Sequence, residues 1–313
     1  MSFKVIGIGE VLWDLLPSGP QLGGAPANFA CHAHALGARA GIITRVGKDP
    51  EGQEIIQRIK GMGISTRGVQ VDDVVPTGTV AVRISDRGVP EYLIRERVAW
   101  DHIAARAGAL ASVRQADAIC FGSLAQRGAV SRESIRRLVS AAPADAWRVF
   151  DANLRQNFFT REIIEQSLRR ANLLKLNESE LPVLAEMFGL AGDCRSQIAA
   201  LAGAFGLRIV VLTRGQGGSL IFQAGRWSEH PAAPATVADT VGAGDSFTAA
   251  LVLGLLHGLD LDAVHAFAAA VAGFVCSCAG ATPVLPENLR NHFRRRRSTQ
   301  DNQFHSRAAM QPG

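Results

Sequence analysis

The sequence predicts an α/β protein in which helices flank a doubly wound, mostly parallel sheet. Short apolar segments rich in β-branched residues alternate with longer helical patterns along most of the 313 residues. Polar and glycine-rich clusters follow several of the predicted strands, and ligands bind at the carboxyl ends of strands in such sheets. One segment, residues 79–95, interrupts the alternation with two strands and a turn, which predicts an additional small β lid.

The individual elements follow from the same patterns. Residues 4–8 are apolar and β-branched and predict a buried first strand. The glycine pair within residues 23–30 predicts a tight turn that leads into an alanine-rich helix over residues 31–36. Further strands are predicted over residues 41–46, 116–122, 148–151, 171–176, 208–213 and 219–223. Further helices are predicted over residues 52–62, 131–141, 162–170, 246–256 and 262–276.

The predicted lid is a hairpin with one additional strand. Residues 79–84 alternate in polarity, residues 86–88 have turn composition, and residues 91–95 return as a second strand. Residues 11–18 supply another lid strand, and the hairpin region extends over about residues 77–100. This sheet is expected to cover the binding face, with an ordinary edge hairpin as the alternative.

The net charge of +5 belongs to the end of the chain. From Arg290 onward six arginines and one acid, Asp301, account for all of it, so the preceding chain is neutral overall. We therefore predict one large domain over residues 1–293 and a basic, disordered tail over residues 294–313. A neutral body gives no bulk electrostatic reason to expect a nucleic-acid partner.

Composition also argues against a membrane protein and against a zinc protein. No apolar run reaches the ~20 residues that a membrane-spanning helix needs. The five cysteines are odd in number and lack paired zinc-ligand spacing. We interpret them as free thiols of a cytoplasmic protein.

The segment Asp-Thr-Val-Gly-Ala-Gly-Asp, which ends at Asp245, carries the strongest chemical signal. Gly242, Ala243 and Gly244 directly precede a predicted helix, whose free N–H groups are suited to phosphate oxygens. An aspartate at this place repels an anion, so a base that deprotonates an attacking hydroxyl explains Asp245 better than phosphate binding alone. The alternative is a small-residue helix start with a capping aspartate.

Two polar side chains near the N-terminus are candidates for binding hydroxyl groups. Asp14 follows the first strand, and a carboxylate accepts two hydrogen bonds at once. Asn28 follows Gly24 and offers both a donor and an acceptor. A solvated loop position for Asp14 and a capping role for Asn28 are the alternatives.

These motifs, in this order, resemble the ribokinase-like, PfkB-type carbohydrate kinases. The resemblance covers nearly everything from Phe3 to Pro286 and depends mainly on residues 23–30 and 239–247. Within that family, Gly-Gly-Ala-Pro-Ala-Asn is most similar to the fructokinases, as is the segment of residues 10–17. Two departures are Arg97-Val-Ala-Trp-Asp in place of an arginine–x–alanine–aspartate element, and Ala152 where a proline is common. The first of these leaves the exact hexose open.

The resemblance implies ATP-dependent phosphorylation of a sugar with Mg²⁺ as cofactor. The implied catalytic residues are Asp245 as the base and Gly242, Ala243 and Gly244 as the anion hole. The implied substrate-binding residues are Asp14, Gly24, Asn28 and Arg155, and the implied ATP-binding residues are Thr213, Gly215, Gly217 and Asn177. Asn177 and Glu180 are implied to hold Mg²⁺ through water. Asp239 is implied to lie at a K⁺ site, with turn capping as its alternative role.

The expected substrate is fructose, and the expected partners are this sugar, ATP and a second copy of the chain bound through the lid. A kinase for 2-keto-3-deoxygluconate, ribose or a nucleoside is an alternative. A non-catalytic sugar or nucleotide sensor on the same fold is the alternative from a different class. The joint presence of Asp245, Asn177 and Glu180 favours the enzyme, because a sensor need not keep both a base and metal-binding groups.

Overall fold

The computed structural model describes residues 2–16, 19–84, 90–233 and 236–293, without the side chains of residues 82–84 and 90–92. The strands are β1 (Lys4–Ile8), β2 (Leu12–Leu16), β3 (Gly19–Gly23), β4 (Arg39–Gly47), β5 (Ser65–Asp72), β6 (Gly78–Ile84), β7 (Pro90–Ile94), β8 (Ala118–Gly122), β9 (Trp147–Asp151), β10 (Leu173–Asn177), β11 (Ile209–Thr213), β12 (Ser219–Gln223) and β13 (Arg226–His230). The helices are α1 (Ala25–Ala35), α2 (Pro50–Gly61), α3 (Ala107–Val113), α4 (Ala129–Ser140), α5 (Arg161–Leu168), α6 (Glu180–Phe188), α7 (Cys194–Phe205), α8 (Ala243–Leu256), α9 (Leu261–Cys276) and α10 (Glu287–Arg290). The turn predicted at residues 86–88 and the tail predicted at residues 294–313 lie outside the described residues.

Within the described residues, the main sheet has nine strands in the order β13-β12-β11-β10-β9-β8-β1-β4-β5. From β11 to β5 every neighbouring pair is parallel, whereas β12 and β13 add two antiparallel pairs at one edge. This arrangement confirms the predicted mostly parallel sheet. It also brings the carboxyl ends of seven strands to one edge of the molecule, where a ligand site is expected.

Hydrophobic cores lie on both faces of the sheet. Val210 and Leu212 contribute to one core with α3 to α7, while Ile209 and Val211 contribute to another with α1, α8 and α9. Because successive strand residues point to opposite faces, a strand buried on both sides is apolar throughout. None of the helices in the described ranges has the length and apolar character that crossing a membrane requires.

In the part of the chain that the structure describes, the second sheet has four strands in the order β3-β2-β6-β7. It contains the predicted lid strands, with β2 parallel to β6 and β7 antiparallel to β6. The sequence patterns did not predict β3, which pairs with β2 in an antiparallel arrangement. Its sequence, Gly-Pro-Gln-Leu-Gly, contains residues that are depleted in strands, so only the pairing with β2 makes it extended.

Two helices begin earlier than the sequence predicts. Helix α1 begins at Ala25 because Pro26, in its first turn, has a backbone angle suited to helix initiation. Helix α8 begins at Ala243 because Gly242 adopts a left-handed conformation, with φ of 78°, that ends the preceding loop. Both glycine motifs therefore lie at helix N-termini, and Asp245 lies within the first turn of α8.

Elements missed from the sequence include β5 and β13, the edge strands of the main sheet. Both have mixed burial, so neither shows the continuous apolar run of the central strands. The short helix α3 and the weakly amphipathic helix α7 were not predicted either.

Candidate active site

A cavity of about 1160 Å³ lies between the carboxyl ends of the parallel strands and the small sheet. Most of the residues predicted for the site line it: Asp14, Gly24, Asn28, Arg155, Asn177, Thr213, Gly215, Gly242, Ala243, Gly244 and Asp245. Gly217, Glu180 and Asp239 are not among the lining residues. The fold therefore gathers motifs that are more than 200 residues apart in sequence into one cavity.

Asp245 is hydrogen-bonded by Asn28, which belongs to the glycine-containing segment of residues 23–30. The Nδ2 atom of Asn28 donates a hydrogen bond of 2.9 Å to Oδ2 of Asp245. Burial, followed by the negative charge of Asp151, raises the pKa of Asp245 to about 6, while Lys175, Asn28 and Arg155 act in the opposite direction. A carboxylate with this pKa is deprotonated at neutral pH and is a stronger base than an ordinary aspartate.

Lys175 is a buried cation that the sequence analysis did not identify. It lies opposite Asp151 in the register of β10 and β9, and its Nζ atom is 3.1 Å from both carboxylate oxygens. Burial alone lowers the pKa of Lys175, but the carboxylates of Asp151, Glu180 and Asp245 outweigh it and raise that pKa. A signal was present, since Lys175 is the single charged residue in the apolar run Leu-Leu-Lys-Leu.

The N-terminus of α8 provides donors for an anion. Within the described residues, the amide N–H groups of Gly244 and Asp245 have no backbone acceptor, whereas Ala243 donates to the carbonyl of Thr240 at 3.3 Å. A Cβ atom on Gly244 would lie 2.9 Å from Nζ of Lys175, so the ammonium group is next to these amides. Free amides, a helix N-terminus and a fixed positive charge favour binding of a phosphoryl group here.

Gly242 makes this arrangement sterically feasible. Its φ of 78° is in the left-handed region, and a Cβ atom at this position would overlap the carbonyl oxygen of Ala281. Only glycine fits both the backbone conformation and the available space without movement of the loop.

Asn177 and Glu180 fix the loops that follow β9 and β10. The Oδ1 atom of Asn177 accepts from the amides of Ser179 and Glu180 at 2.9 and 3.0 Å. The carboxylate of Glu180 accepts from the amides of Leu154 and Asn177 at 2.9 and 2.8 Å. Burial raises the pKa of Glu180, and the charge of Lys175 and these amide hydrogen bonds act against that shift.

These contacts decide how a magnesium ion would fit. Within the described residues no cluster of three or more His, Cys, Asp or Glu side chains is arranged to hold a metal. Mg²⁺ commonly retains several waters and is bound through substrate phosphates with few protein ligands. The oxygens of Asn177 and Glu180 already accept these hydrogen bonds and do not form a dedicated metal cage, and a water-mediated role for them stays a prediction.

The cavity beneath the small sheet is acidic. Burial raises the pKa of Asp14 to about 6 and that of Glu10 to about 7, and the charge of Arg155 opposes both shifts. Oε2 of Glu10 is buried without a hydrogen-bond partner in the described part of the chain. Gly23, on the neighbouring strand, leaves room for the Asp14 carboxylate, because a Cβ atom there would overlap Oδ2. These carboxylates are suited to accept hydrogen bonds from a polyhydroxylated ligand.

At the opposite end, the cavity wall includes the turn between β11 and β12. Thr213, Gly215 and Gly218 line it, so the second lining glycine of the turn is Gly218 and not the predicted Gly217. A Cβ atom on Gly218 would overlap the carbonyl oxygen of His230, which explains why glycine is required there. The neighbouring wall is apolar and includes Val237, Phe247, Ala269 and Ala272.

Asp239 lies outside the cavity wall and organises the turn that precedes Gly242. Its Oδ1 accepts from the amide of Val241 at 3.0 Å, and its Oδ2 accepts from the amide of Gly280 at 3.1 Å. These are the contacts of the turn-capping alternative. A K⁺ site at Asp239 stays a prediction.

Comparison with known proteins identifies the family. The family model described as pfkB family carbohydrate kinase matches residues 20–288. A fructokinase of Escherichia coli is 30% identical over 274 residues, covering 84% of this chain and 88% of the relative. A 2-dehydro-3-deoxygalactonokinase of Haloferax volcanii is 27% identical over 291 residues, covering 87% and 90%. The crystal structure of a sugar kinase from Pyrococcus horikoshii in complex with ATP has a TM-score of 0.77 at 27% identity, covering 89% of this chain and 94% of that one.

Proposed function

The chain belongs to the pfkB family of carbohydrate kinases and has the ribokinase-like fold, and from this premise we propose that it transfers the terminal phosphoryl group of ATP to a primary hydroxyl of fructose. The observation that carries the proposal is the Asp245 carboxylate, hydrogen-bonded by Asn28, at the same helix N-terminus as the free amides of Gly244 and Asp245. A base and an anion hole side by side are suited to activating a hydroxyl directly in front of a phosphoryl group.

In the proposed step, Asp245 takes the proton of the substrate hydroxyl while its oxygen forms a bond to the terminal phosphorus of ATP. The bond between that phosphorus and the bridging oxygen breaks, and ADP leaves with the electron pair. The N–H groups of Gly244 and Asp245 and the ammonium group of Lys175 stabilise the negative charge of the transferring group. When bound, Mg²⁺ would supply further charge neutralisation at the phosphates, and Asn177 and Glu180 are the residues that would hold its waters.

Lys175 also explains how an anionic base and an anionic substrate are compatible. Its charge is balanced against Asp151 in the resting protein, at 3.1 Å from each carboxylate oxygen. It also lowers the pKa of Asp245, which keeps that carboxylate deprotonated at neutral pH. A buried, paired cation of this kind is fixed before the substrate arrives and needs little reorganisation during transfer.

Fructose is proposed because Asp14 and Asn28 offer hydroxyl-binding groups and because a fructokinase is among the most similar relatives. A second candidate is a keto-deoxy sugar acid, the substrate class named for the Haloferax volcanii relative. The observation that favours it is Arg155, an exposed cation on the cavity wall that could pair with a carboxylate. The nearby carboxyl groups of Glu10 and Asp14 disfavour an acidic substrate.

A substrate panel distinguishes these candidates. We expect kcat/KM for fructose to exceed those for ribose, adenosine and 2-keto-3-deoxygluconate by at least about tenfold, or ~1.4 kcal/mol in transition-state binding. The reason is that buried polar groups shaped for one set of hydroxyls remain unpaired with another. ATP consumption by one enzyme preparation with each compound measures this. A higher kcat/KM for the sugar acid would contradict the fructose assignment, and phosphorylation of none would contradict the kinase assignment.

The pH dependence tests the base. We expect kcat/KM for fructose to fall as the pH drops below about 6, because the pKa of Asp245 is raised to about 6 and only its deprotonated form accepts a proton. Activity is therefore present above that pKa and lost below it. The control is Asp14→Asn, since Asp14 also has a pKa of about 6. This variant should keep the acidic limb, and loss of the limb in it would assign the titration to Asp14.

The small sheet is proposed to pair with that of a second copy of the chain, because Leu15 and Leu93 are 43% and 42% exposed and flank Ala81 in one row across it.

K⁺ binding near Asp239 is proposed on the family resemblance alone. A cytoplasmic location is proposed because all five cysteines are free thiols.

A further inference from the structure

Four polar residues form a continuous hydrogen-bonded chain from the solvent to the apolar end of the cavity. Asp262 is exposed and accepts a hydrogen bond of 2.6 Å from the hydroxyl of Ser228. Oγ of Ser228 is 2.9 Å from Nδ1 of His265, and Nε2 of His265 is 2.7 Å from Oγ of Ser219. Ser228 and His265 do not line the cavity, whereas Ser219 does.

The chain has only one consistent direction of donation. The single proton of the Ser228 hydroxyl is given to Asp262, so Ser228 can only accept from Nδ1 of His265. Burial lowers the pKa of His265 to about 4, so its ring is neutral at pH 7 and carries one proton, on Nδ1. Nε2 is then an acceptor, and the hydroxyl proton of Ser219 points to it.

Ser219 is therefore left as an acceptor without a donor. Within the described residues, no other N–H or O–H group hydrogen-bonds to its Oγ, and the residue is 4% exposed. A hydroxyl whose proton is committed to histidine has oxygen lone pairs available and nothing to donate. A ligand that fills the cavity beside it and displaces water must supply an N–H or O–H group, or that lone pair stays unpaired.

The surroundings of Ser219 indicate which donor this is. His265, Ala269, Ala272 and Cys276 follow one another on one face of α9, and the last three line the cavity. Small and apolar side chains fit a flat ring better than a ribose or a phosphate. ATP carries donors only on its ribose and on the 6-amino group of adenine, and the amino group is the donor on a flat ring.

We propose that Oγ of Ser219 accepts a hydrogen bond from the 6-amino group of adenine, and that His265 and Ser228 are positioning residues that keep the Ser219 hydroxyl from donating. The proposal deepens the proposed function and depends on ATP being the phosphoryl donor. Guanine has a carbonyl oxygen at the corresponding ring position, so the arrangement favours ATP over GTP. A purely structural role, tying β12 and β13 to α9, would not distinguish one nucleotide from another.

The test is a double-mutant cycle between protein and nucleotide. Dissociation constants of ATP and of purine riboside triphosphate, which lacks the 6-amino group, are measured calorimetrically with Mg²⁺ for the wild-type protein and Ser219→Ala. We expect the wild-type protein to prefer ATP by about tenfold, the usual order for one buried hydrogen bond, and Ser219→Ala to lose that preference. Ser228 does not line the cavity, and Ser228→Ala should reduce the preference for ATP only in part.

The controls separate the outcomes. Ser167→Ala removes another buried, hydrogen-bonded serine that does not line the cavity and should leave both dissociation constants unchanged. Equal weakening of both nucleotides by Ser219→Ala would overturn the proposal in favour of a structural role. If 2′-deoxy-ATP, rather than the analogue without the amino group, cancels the effect of Ser219→Ala, the assignment to adenine is overturned. A wild-type protein that binds no nucleotide would instead overturn the proposed function, and the inference with it.

Discussion

Asp245→Asn is expected to lower kcat with fructose by a factor on the order of 10²–10⁴, the usual share of a general base. The substitution keeps the size of the side chain and an oxygen that can accept from Asn28, so the local structure should persist. It removes the group that takes the proton, and asparagine cannot replace it in this role. Removal of a negative charge from the anion site should leave ATP affinity unchanged or make it tighter. Steady-state kinetics and calorimetric ATP titration measure the two quantities separately.

Asp260→Asn is a matched control for this variant. Asp260 is the N-cap of the neighbouring helix α9 and accepts from the amide of Ala263 at 2.9 Å. Asparagine caps helices about as well as aspartate, and Asp260 does not line the cavity, so kcat should stay at the wild-type value. A near wild-type kcat for Asp245→Asn would exclude Asp245 from the proton transfer. A loss of ATP binding equal to the loss of kcat would indicate a structural defect instead.

The general location of the site followed from the sequence because its motifs are local. Gly24, Asn28 and Asp245 each belong to a short glycine-containing segment next to a helix, and glycine has a strong positional meaning. The alternation of strands and helices then indicates that such segments gather at the carboxyl ends of the strands. The hydrogen bond between Asn28 and Asp245, at 2.9 Å, joins the two motifs as this reasoning expects.

The roles of Lys175 and Ser219 could not be predicted from short sequence motifs of this kind. The importance of Lys175 depends on its register opposite Asp151, and the sequence does not fix the pairing of β9 and β10. The role proposed for Ser219 depends on contacts with His265, on a helix 46 residues away along the chain. Such long-range contacts between buried polar groups are visible only once the packing is known.

The turn between β11 and β12 shows that the sequence alone also does not decide which of two adjacent glycines lines the cavity. The sequence analysis selected Gly217, but Gly218 lines the cavity. Adjacent glycines look equivalent in a sequence, and the distinction comes from the strand pairing that places the carbonyl of His230 against Gly218. The strand β3 was missed for a related reason, since its extended form depends on pairing with β2 and not on its own composition.

Gly242→Ala is expected to lower kcat by a factor on the order of 10²–10³, the usual loss when an oxyanion-hole donor is displaced. Two independent effects act on the loop. Alanine is strained at φ of 78°, and its Cβ atom would overlap the carbonyl oxygen of Ala281. The loop must therefore move, and the amides of Gly244 and Asp245 move with it, away from the phosphoryl group. Measurement of kcat, together with the free energy of unfolding, shows how much of the loss is catalytic.

Gly258→Ala is a control that separates the backbone strain of a left-handed alanine from the displacement of the loop beside the anion hole. Gly258 follows the same helix, α8, with φ of 71°, close to that of Gly242, but a Cβ atom there meets nothing within 4 Å. Both variants carry the cost of a left-handed alanine, about 1–2 kcal/mol of folding free energy. Only Gly242→Ala also has the steric overlap beside the anion hole, so it alone should lose kcat. Equal kcat in the two variants would show that the geometry of residues 242–245 does not limit phosphoryl transfer, and that the anion hole proposed for Gly244 and Asp245 is wrong.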